Sequence, residues 1–299
     1  MPTEREGRAM RPIFAYLREN HISEILLASS FYLFGAAYSL FLGFELKLVT
    51  LILGWLVVIF LLGTMELLNL VFREEDHLEL LLIEIFGYQN YRLFYFIFAG
   101  MFMGVALIIV LLNFSGGMTL LLFLLILVFL ILYVVRPFRL IASGYGEMIN
   151  ALLNTFLIPS FAYASQTSGR LHQDLVYLCI PFFFLALANL YLFSNKQLTH
   201  DLQRGHITAP IKFGSVVTLR AALYLVAGSY VFMALVGFAR IPSRFMVRWL
   251  LSSPLALFLI FQVDGILRGK KPNWFTVEML SRALIYLNLL LLIFAFLVV

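Results

Sequence analysis

Long apolar runs broken by short polar stretches dominate this chain. Nine runs, each of about 18 to 25 residues, are long enough to cross a ~30 Å hydrocarbon core as helices. They are Ser23–Gly43, Leu48–Phe72, Leu93–Leu112, Met118–Val135, Glu147–Ala164, Leu175–Phe193, Ser215–Phe238, Phe245–Val263 and Val277–Val299. The runs are continuous rather than alternating, which predicts helices and not strands. Pro159, Pro181 and Pro254 fall inside runs and predict kinks. The expected fold is all-α, a polytopic membrane bundle of about nine transmembrane helices. Residues 1–20 are expected to form a cytoplasmic N-terminal segment, and residues 21–299 a single transmembrane domain.

Composition narrows the class. Of 299 residues, 63% are hydrophobic and only 12% charged, and the mean hydropathy is +0.98. Soluble domains carry about a quarter charged residues, so a soluble globular protein is excluded. The net charge of +5 reflects basic residues at the membrane edge, and no nucleic-acid partner is expected. With the N-terminus in the cytoplasm, cytoplasmic segments hold 16 Lys and Arg residues and the opposite side 5. The positive-inside rule then favours N-in and C-out, and a bacterial inner membrane is the expected location. The first run is too long for a signal-peptide core and lacks a small-x-small cleavage site, so it is expected to be retained. Cys179 is the single cysteine, which rules out an intramolecular disulfide.

The polar segments carry the chemistry. Arg73–Arg92 follows the second run and Asn195–Lys212 the sixth, so two halves of four spans, each with a polar loop after its second span, suggest a pseudo-repeat. Five segments stand out in order along the chain: Tyr16-Leu17-Arg18-Glu19-Asn20, Leu67-Leu68-Asn69, Pro137-Phe138-Arg139 with Gly144-Tyr145-Gly146-Glu147, Tyr163-Ala164-Ser165-Gln166-Thr167, and Asp201 through Gly205 with Thr208 and Lys212-Phe213-Gly214. Together they resemble the UbiA superfamily of intramembrane prenyltransferases, nearest the branch that prenylates dihydroxynaphthoate in menaquinone synthesis. The resemblance implies a nine-helix bundle whose central cavity opens laterally to lipid, with a cytoplasmic cap over a diphosphate site. It also implies transfer of an isoprenyl group from a diphosphate donor to an aromatic or other lipophilic acceptor. Two Asp-rich motifs would hold Mg²⁺, which neutralises the leaving diphosphate.

The motifs here depart from that pattern. The first, Asn-x-x-x-Asp-x-x-x-Asp, becomes Asn69, Arg73 and His77; in the second, Gln197 replaces an Asp and Asp201 remains. Three arrangements are compatible with these residues. A shifted metal site would use Asp201 with Glu75 and Glu79, which share a helix face; the alternative is that Asp76 and Glu79 form a capping box opening an Asp76–Phe86 helix. In the second arrangement cations replace the metal. Arg73, Arg139 and Arg204 would grip a phosphate or carboxylate through guanidinium forks, unless Arg73 and Arg204 merely neutralise Glu66, Glu74 and Asp201. In the third, catalysis is lost and the bundle binds an isoprenoid, quinone or lipid.

The candidate catalytic residues are thus Asp201, Gln197 and Asn69. The candidate substrate-binding residues are Arg73, Arg139, Arg204, Asn150 and Lys196. Membrane lipid and an isoprenyl diphosphate or other lipophilic small molecule are the expected partners. Glu66 reads as the carboxylate clearly inside a span, either functional or structural. With Asp264 it would also be the coupling pair of a transporter, a reading the family-like loops oppose. Asn150, Asn154 and Asn189 are expected to face the cavity, where polar side chains also serve as interhelical glue. Glu147 reads as a helix-start acid, and Asp264 with Arg268 as a helix-end ion pair.

Overall fold

A computed structural model describes residues 4–72, 88–114, 116–203 and 206–297. Thirteen α-helices are present among them. They are α1 (Glu4–Phe41), α2 (Leu48–Phe72), α3 (Tyr88–Asn113), α4 (Gly117–Val134), α5 (Gly146–Leu152), α6 (Ile158–Gln166), α7 (Gln173–Lys196), α8 (Leu198–Gln203), α9 (Ala209–Phe213), α10 (Ser215–Ala239), α11 (Ser243–Leu250), α12 (Ser253–Leu267) and α13 (Trp274–Leu297). Seven helices are individually long and apolar enough to span a bilayer, and the pair α11 and α12, bent by 46°, makes an eighth. Helices α5 and α6 are joined without a break by a π-turn at Leu153–Leu157. At about 1.5 Å per residue, the continuous stretch from Gly146 to Gln166 reaches ~30 Å, but it is not among the spans that length and hydropathy identify, which number seven to eight among the described residues where nine were expected. The chain is therefore an integral membrane bundle.

The prolines act next to irregularities rather than alone. Pro159 sits in the first turn of α6, directly after the π-turn. Pro254 opens α12 just beyond the bend, a position where its missing N–H costs nothing. Pro181 is accommodated inside α7.

The two halves repeat one neighbour relation: α2 packs most extensively on α3, and α7 on α10. Between the halves, α1 lies against α6 and α13. The α1–α6 approach depends on Gly35. A methyl group there would overlap the carbonyl oxygen of Pro159 and stand 2.7 Å from its Cα. The core above this crossing is aromatic. Phe182 meets Phe31, Phe34 and Trp249 edge-on at centroid distances of 5.4, 5.1 and 4.8 Å, the geometry that the ring quadrupole favours. Cys179, one turn before Phe182, is completely enclosed. By contrast, α3 turns much of its surface outward, with Leu93, Phe96, Ile108 and Leu112 exposed, as a lipid-facing helix should.

Candidate functional site

The chain leaves α4 at Val135, whose backbone is extended, and runs through Arg136, Pro137, Phe138 and Arg139; Pro137 cannot resume the helix, and Arg139, with a left-handed backbone (φ 36°), opens the short turn Leu140–Ala142. It leaves α7 through Gln197 into the short helix α8. These two exits, 60 residues apart in sequence, are stitched together as one cap over the same end of the bundle. Ser143 and Ile207 form a parallel β-bridge. Lys212 Nζ donates to the Ser143 carbonyl at 2.7 Å and lies 3.6 Å from the centre of the Tyr145 ring. The positive φ of 76° at Gly144 permits this approach, since a Cβ there would stand 2.6 Å from the Lys212 side chain. Glu147 completes the seam. Its buried Oε1 accepts from Ser194 Oγ of α7 at 2.8 Å and from the Ala209 backbone N–H at 3.0 Å. The helix-start acid is thus a tie between three elements, beyond the local role expected of it.

Between the exits lies an open pocket of about 510 Å³ lined by Arg136, Phe138, Arg139, Ala142, Ser143 and His206. Arg139 therefore lines the cap pocket, joined by Arg136 and His206, which were not among the substrate-binding residues expected from the sequence.

Below the cap, two cavities of about 30 and 150 Å³ share Glu24, Asn150 and Asn154 on their walls. The smaller continues along Val58, Met65, Ile126 and Leu130, and the larger along Asn189, Arg282 and Tyr286. Asn154 Nδ2 donates to Asn150 Oδ1 at 2.5 Å. Ser281 donates to Asn189 Oδ1 at 2.7 Å. All three asparagines thus line cavities and also bond other groups. Glu24, like Asp174 and Glu278, lies near the start of a span, whereas Glu66 lies well inside α2. Glu24 is one residue from the start of its span, next to the basic N-terminal segment.

The remaining candidates divide. Asp201 is buried in α8, with His200 Nδ1 4.0 Å from its carboxylate, and its carbonyl accepts from His206 N–H at 3.0 Å. Gln197, half-buried, accepts on its carbonyl from Asp201 N–H at 2.9 Å. Asn69 is half-buried in the last turn of α2. Helix α2 packs chiefly on α3, and α8 on α7 and α9, so Asn69 and Asp201 belong to elements with different principal neighbours. Lys196 is taken up in an ion pair with Glu278 at 2.5 Å, and Arg282 meets the same carboxylate at 2.7 Å. Arg73, Arg204, Glu75 and Glu79, with the capping-box segment Asp76–Phe86, lie outside the described residues. Asp264 and Arg268 pair at 2.7 Å as the spacing predicted.

The Lys196–Glu278–Arg282 bridge ties α7 to α13 at the cavity's edge. Because Lys196 is about 39% exposed, water screens it, and Glu278→Ala should lower stability by only about 1 kcal/mol. A shift of the thermal unfolding midpoint in detergent several times larger than this would show that the bridge is desolvated.

Among the described residues no group of three or more His, Cys, Asp or Glu side chains is placed to hold a metal ion. Of the four positions that the family pattern fills with Asp, those of Gln197 and Asp201 fall among them, and of these two only Asp201 is an acid. The described residues therefore do not by themselves fit a magnesium site, and no chemical step is routed through one.

No known protein family's profile matches the chain, and no curated protein sequence does. Its shape does have a match: a solved structure of a digeranylgeranylglyceryl phosphate synthase in membranes superposes with a TM-score of 0.62. The match covers 96% of this chain and 97% of that one, at 18% sequence identity. The shared property is the fold, a polytopic helical bundle.

Proposed function

We propose that this chain is a divergent intramembrane prenyltransferase-like protein. It takes an isoprenyl diphosphate with the headgroup under the cap and the chain in the cavities below, and passes the isoprenyl group to an aromatic or other lipophilic acceptor. The observation that carries the reading is the cap pocket, where Arg136, Arg139 and His206 from two distant loops come together in a prenyltransferase-like bundle whose smaller cavity has an apolar wall of Val58, Met65, Ile126 and Leu130. Guanidinium forks bind phosphate oxygens bidentately, and an apolar cavity suits a hydrocarbon chain. Transfer would break the allylic carbon–oxygen bond, with the electron pair leaving on the diphosphate. The acceptor would form the new bond to that carbon and give up its proton. We place the cap in the cytoplasm of a bacterial inner membrane, with the N-terminus inside and the C-terminus opposite.

A second reading, a non-catalytic isoprenoid-, quinone- or lipid-binding protein, is favoured by Arg73, His77 and Gln197 standing where the family pattern has Asp. One experiment separates the two. Binding of a non-hydrolysable isoprenyl diphosphate analogue to purified protein is measured with and without Mg²⁺, using Asp201→Asn and Arg139→Gln as comparisons. Mg²⁺-dependent binding that Asp201→Asn abolishes supports the transferase, with Asp201 as a metal ligand and Glu75 and Glu79 as the further candidates. Metal-independent binding weakened about tenfold by Arg139→Gln supports a cationic headgroup site. Absence of binding under both conditions refutes the diphosphate reading.

A further inference from the structure

On the face opposite the cap the charge balance is lopsided. Lys47, Arg170, Arg240, Arg244 and Arg248 lie there with only Glu45 and Asp174 as acids, among the described residues. Asp174 is already engaged at the start of α7, where its N–H donates to His172 Nδ1 at 3.3 Å and its carboxylate lies 3.7 Å from that ring. Arg244 and Arg248 are four apart on α11, so they share one helix face. Each guanidinium is held against aromatic rings. Arg244 lies 4.9 Å from the Phe41 ring centre and 5.3 Å from that of Phe245, and Arg248 lies 5.3 Å from that of Phe294. Arg240, just before α11, stacks on Tyr177 at 5.1 Å.

Cation–π contact contributes roughly 0.5–1 kcal/mol at exposed sites, but it supplies no hydrogen-bond acceptor. Arg244 Nε and Arg248 Nη1 are shielded from solvent and meet no acceptor. Among the described residues no carboxylate pairs with Arg240, Arg244 or Arg248. Two partly desolvated cations are therefore fixed side by side without a counter-charge, which is costly unless an anion joins them. Around them Val247, Leu251, Phe238 and Phe294 are exposed and apolar. This pairs a cationic clamp with a hydrocarbon-facing surface.

We propose that Arg244 and Arg248 clamp the phosphate of an anionic phospholipid in the leaflet opposite the cap, with its acyl chains along Val247, Leu251 and Phe294. The site stands apart from the cap and is independent of whether the chain transfers isoprenyl groups. A net negative headgroup is selected over a zwitterionic one because the clamp and its surroundings carry excess positive charge.

The test is native mass spectrometry of the full chain in detergent, titrated with phosphatidylglycerol or phosphatidylcholine, with inorganic phosphate as competitor. The expected result is retention of phosphatidylglycerol in preference to phosphatidylcholine. The preference should fall about tenfold in Arg244→Gln/Arg248→Gln and persist in part in Arg244→Lys/Arg248→Lys, which keeps charge but not the fork. Millimolar inorganic phosphate should not displace the lipid; if it does, free phosphate is the ligand and the lipid assignment fails. Equal retention of the two lipids by the unmodified protein, or undiminished preference in the glutamine variant, overturns the proposal. Should the glutamine variant fail to fold, the comparison of the two lipids on the unmodified protein decides alone.

Discussion

Gly35→Ala is expected to destabilise the bundle by about 3 kcal/mol, the upper end for overpacking a well-filled interior. The added methyl meets backbone, the Pro159 carbonyl, and not the end of a flexible side chain. Nothing short of separating α1 from α6 relieves it, and α6 is already constrained by the π-turn behind it. The measurement is the thermal unfolding midpoint in a fixed detergent. Gly104→Ala is the comparison: that glycine lies in α3 with nothing within 4 Å of the added methyl. This second change should be neutral or stabilising by up to about 1 kcal/mol, because alanine is the better helix former. Equal losses in both variants would mean that the α1–α6 contact is not a tight one.

Glu147→Ala is the second large effect. It strands the Ser194 hydroxyl and the Ala209 N–H, both buried. Leaving such groups unsatisfied costs about 1–3 kcal/mol each. The loss falls on the seam between the two loop systems more than on the helices. Residues 206–213 should therefore exchange amide hydrogens faster, while the aromatic core around Phe182 stays protected. Ligand binding at the cap pocket should weaken in parallel, since Arg136 and Arg139 stand on one side of the seam and His206 on the other. Glu147→Gln keeps an oxygen acceptor and should lose much less. Faster exchange spread evenly over α7 and α10 would contradict the role of a local tie.

The spans are legible in the sequence because burial in lipid demands long apolar runs with satisfied backbones. The 46° break before Ser253 and the π-turn at Leu153 are not, since hydropathy carries no information on backbone geometry. The same limit applied to the site. Asn150 and Asn154 could be singled out because a polar group in an oily stretch stands out locally, and Arg139 because it belongs to a family-like loop segment and carries an anion-binding guanidinium. Glu147's partners could not: Ser194 and Ala209 are remote in sequence, and the hydrogen bonds between them leave no periodic trace. Glu24 was hidden by its position at the beginning of a span, beside several arginines. Lys196 looked like a headgroup ligand because its carboxylate partner, Glu278, lies three spans further on, in α13. The arginines opposite the cap entered the reading only as numbers in a charge count. What distinguishes Arg244 and Arg248 is the rings beneath them, and only folding brings Phe41 and Phe294 there.

The enclosed thiol of Cys179 turns the natural chain into a background for site-directed chemistry. A maleimide needs an accessible thiolate, and a side chain sealed beneath α7's neighbours offers none. Single cysteines introduced at exposed Leu202, on the cap, and at exposed Ser243, on the far face, can therefore be probed without first removing a native residue. A membrane-impermeant maleimide added to intact cells should label Ser243→Cys and spare Leu202→Cys until the membrane is breached. The reverse pattern would turn the whole bundle over, and with it the compartment from which a soluble headgroup reaches the cap.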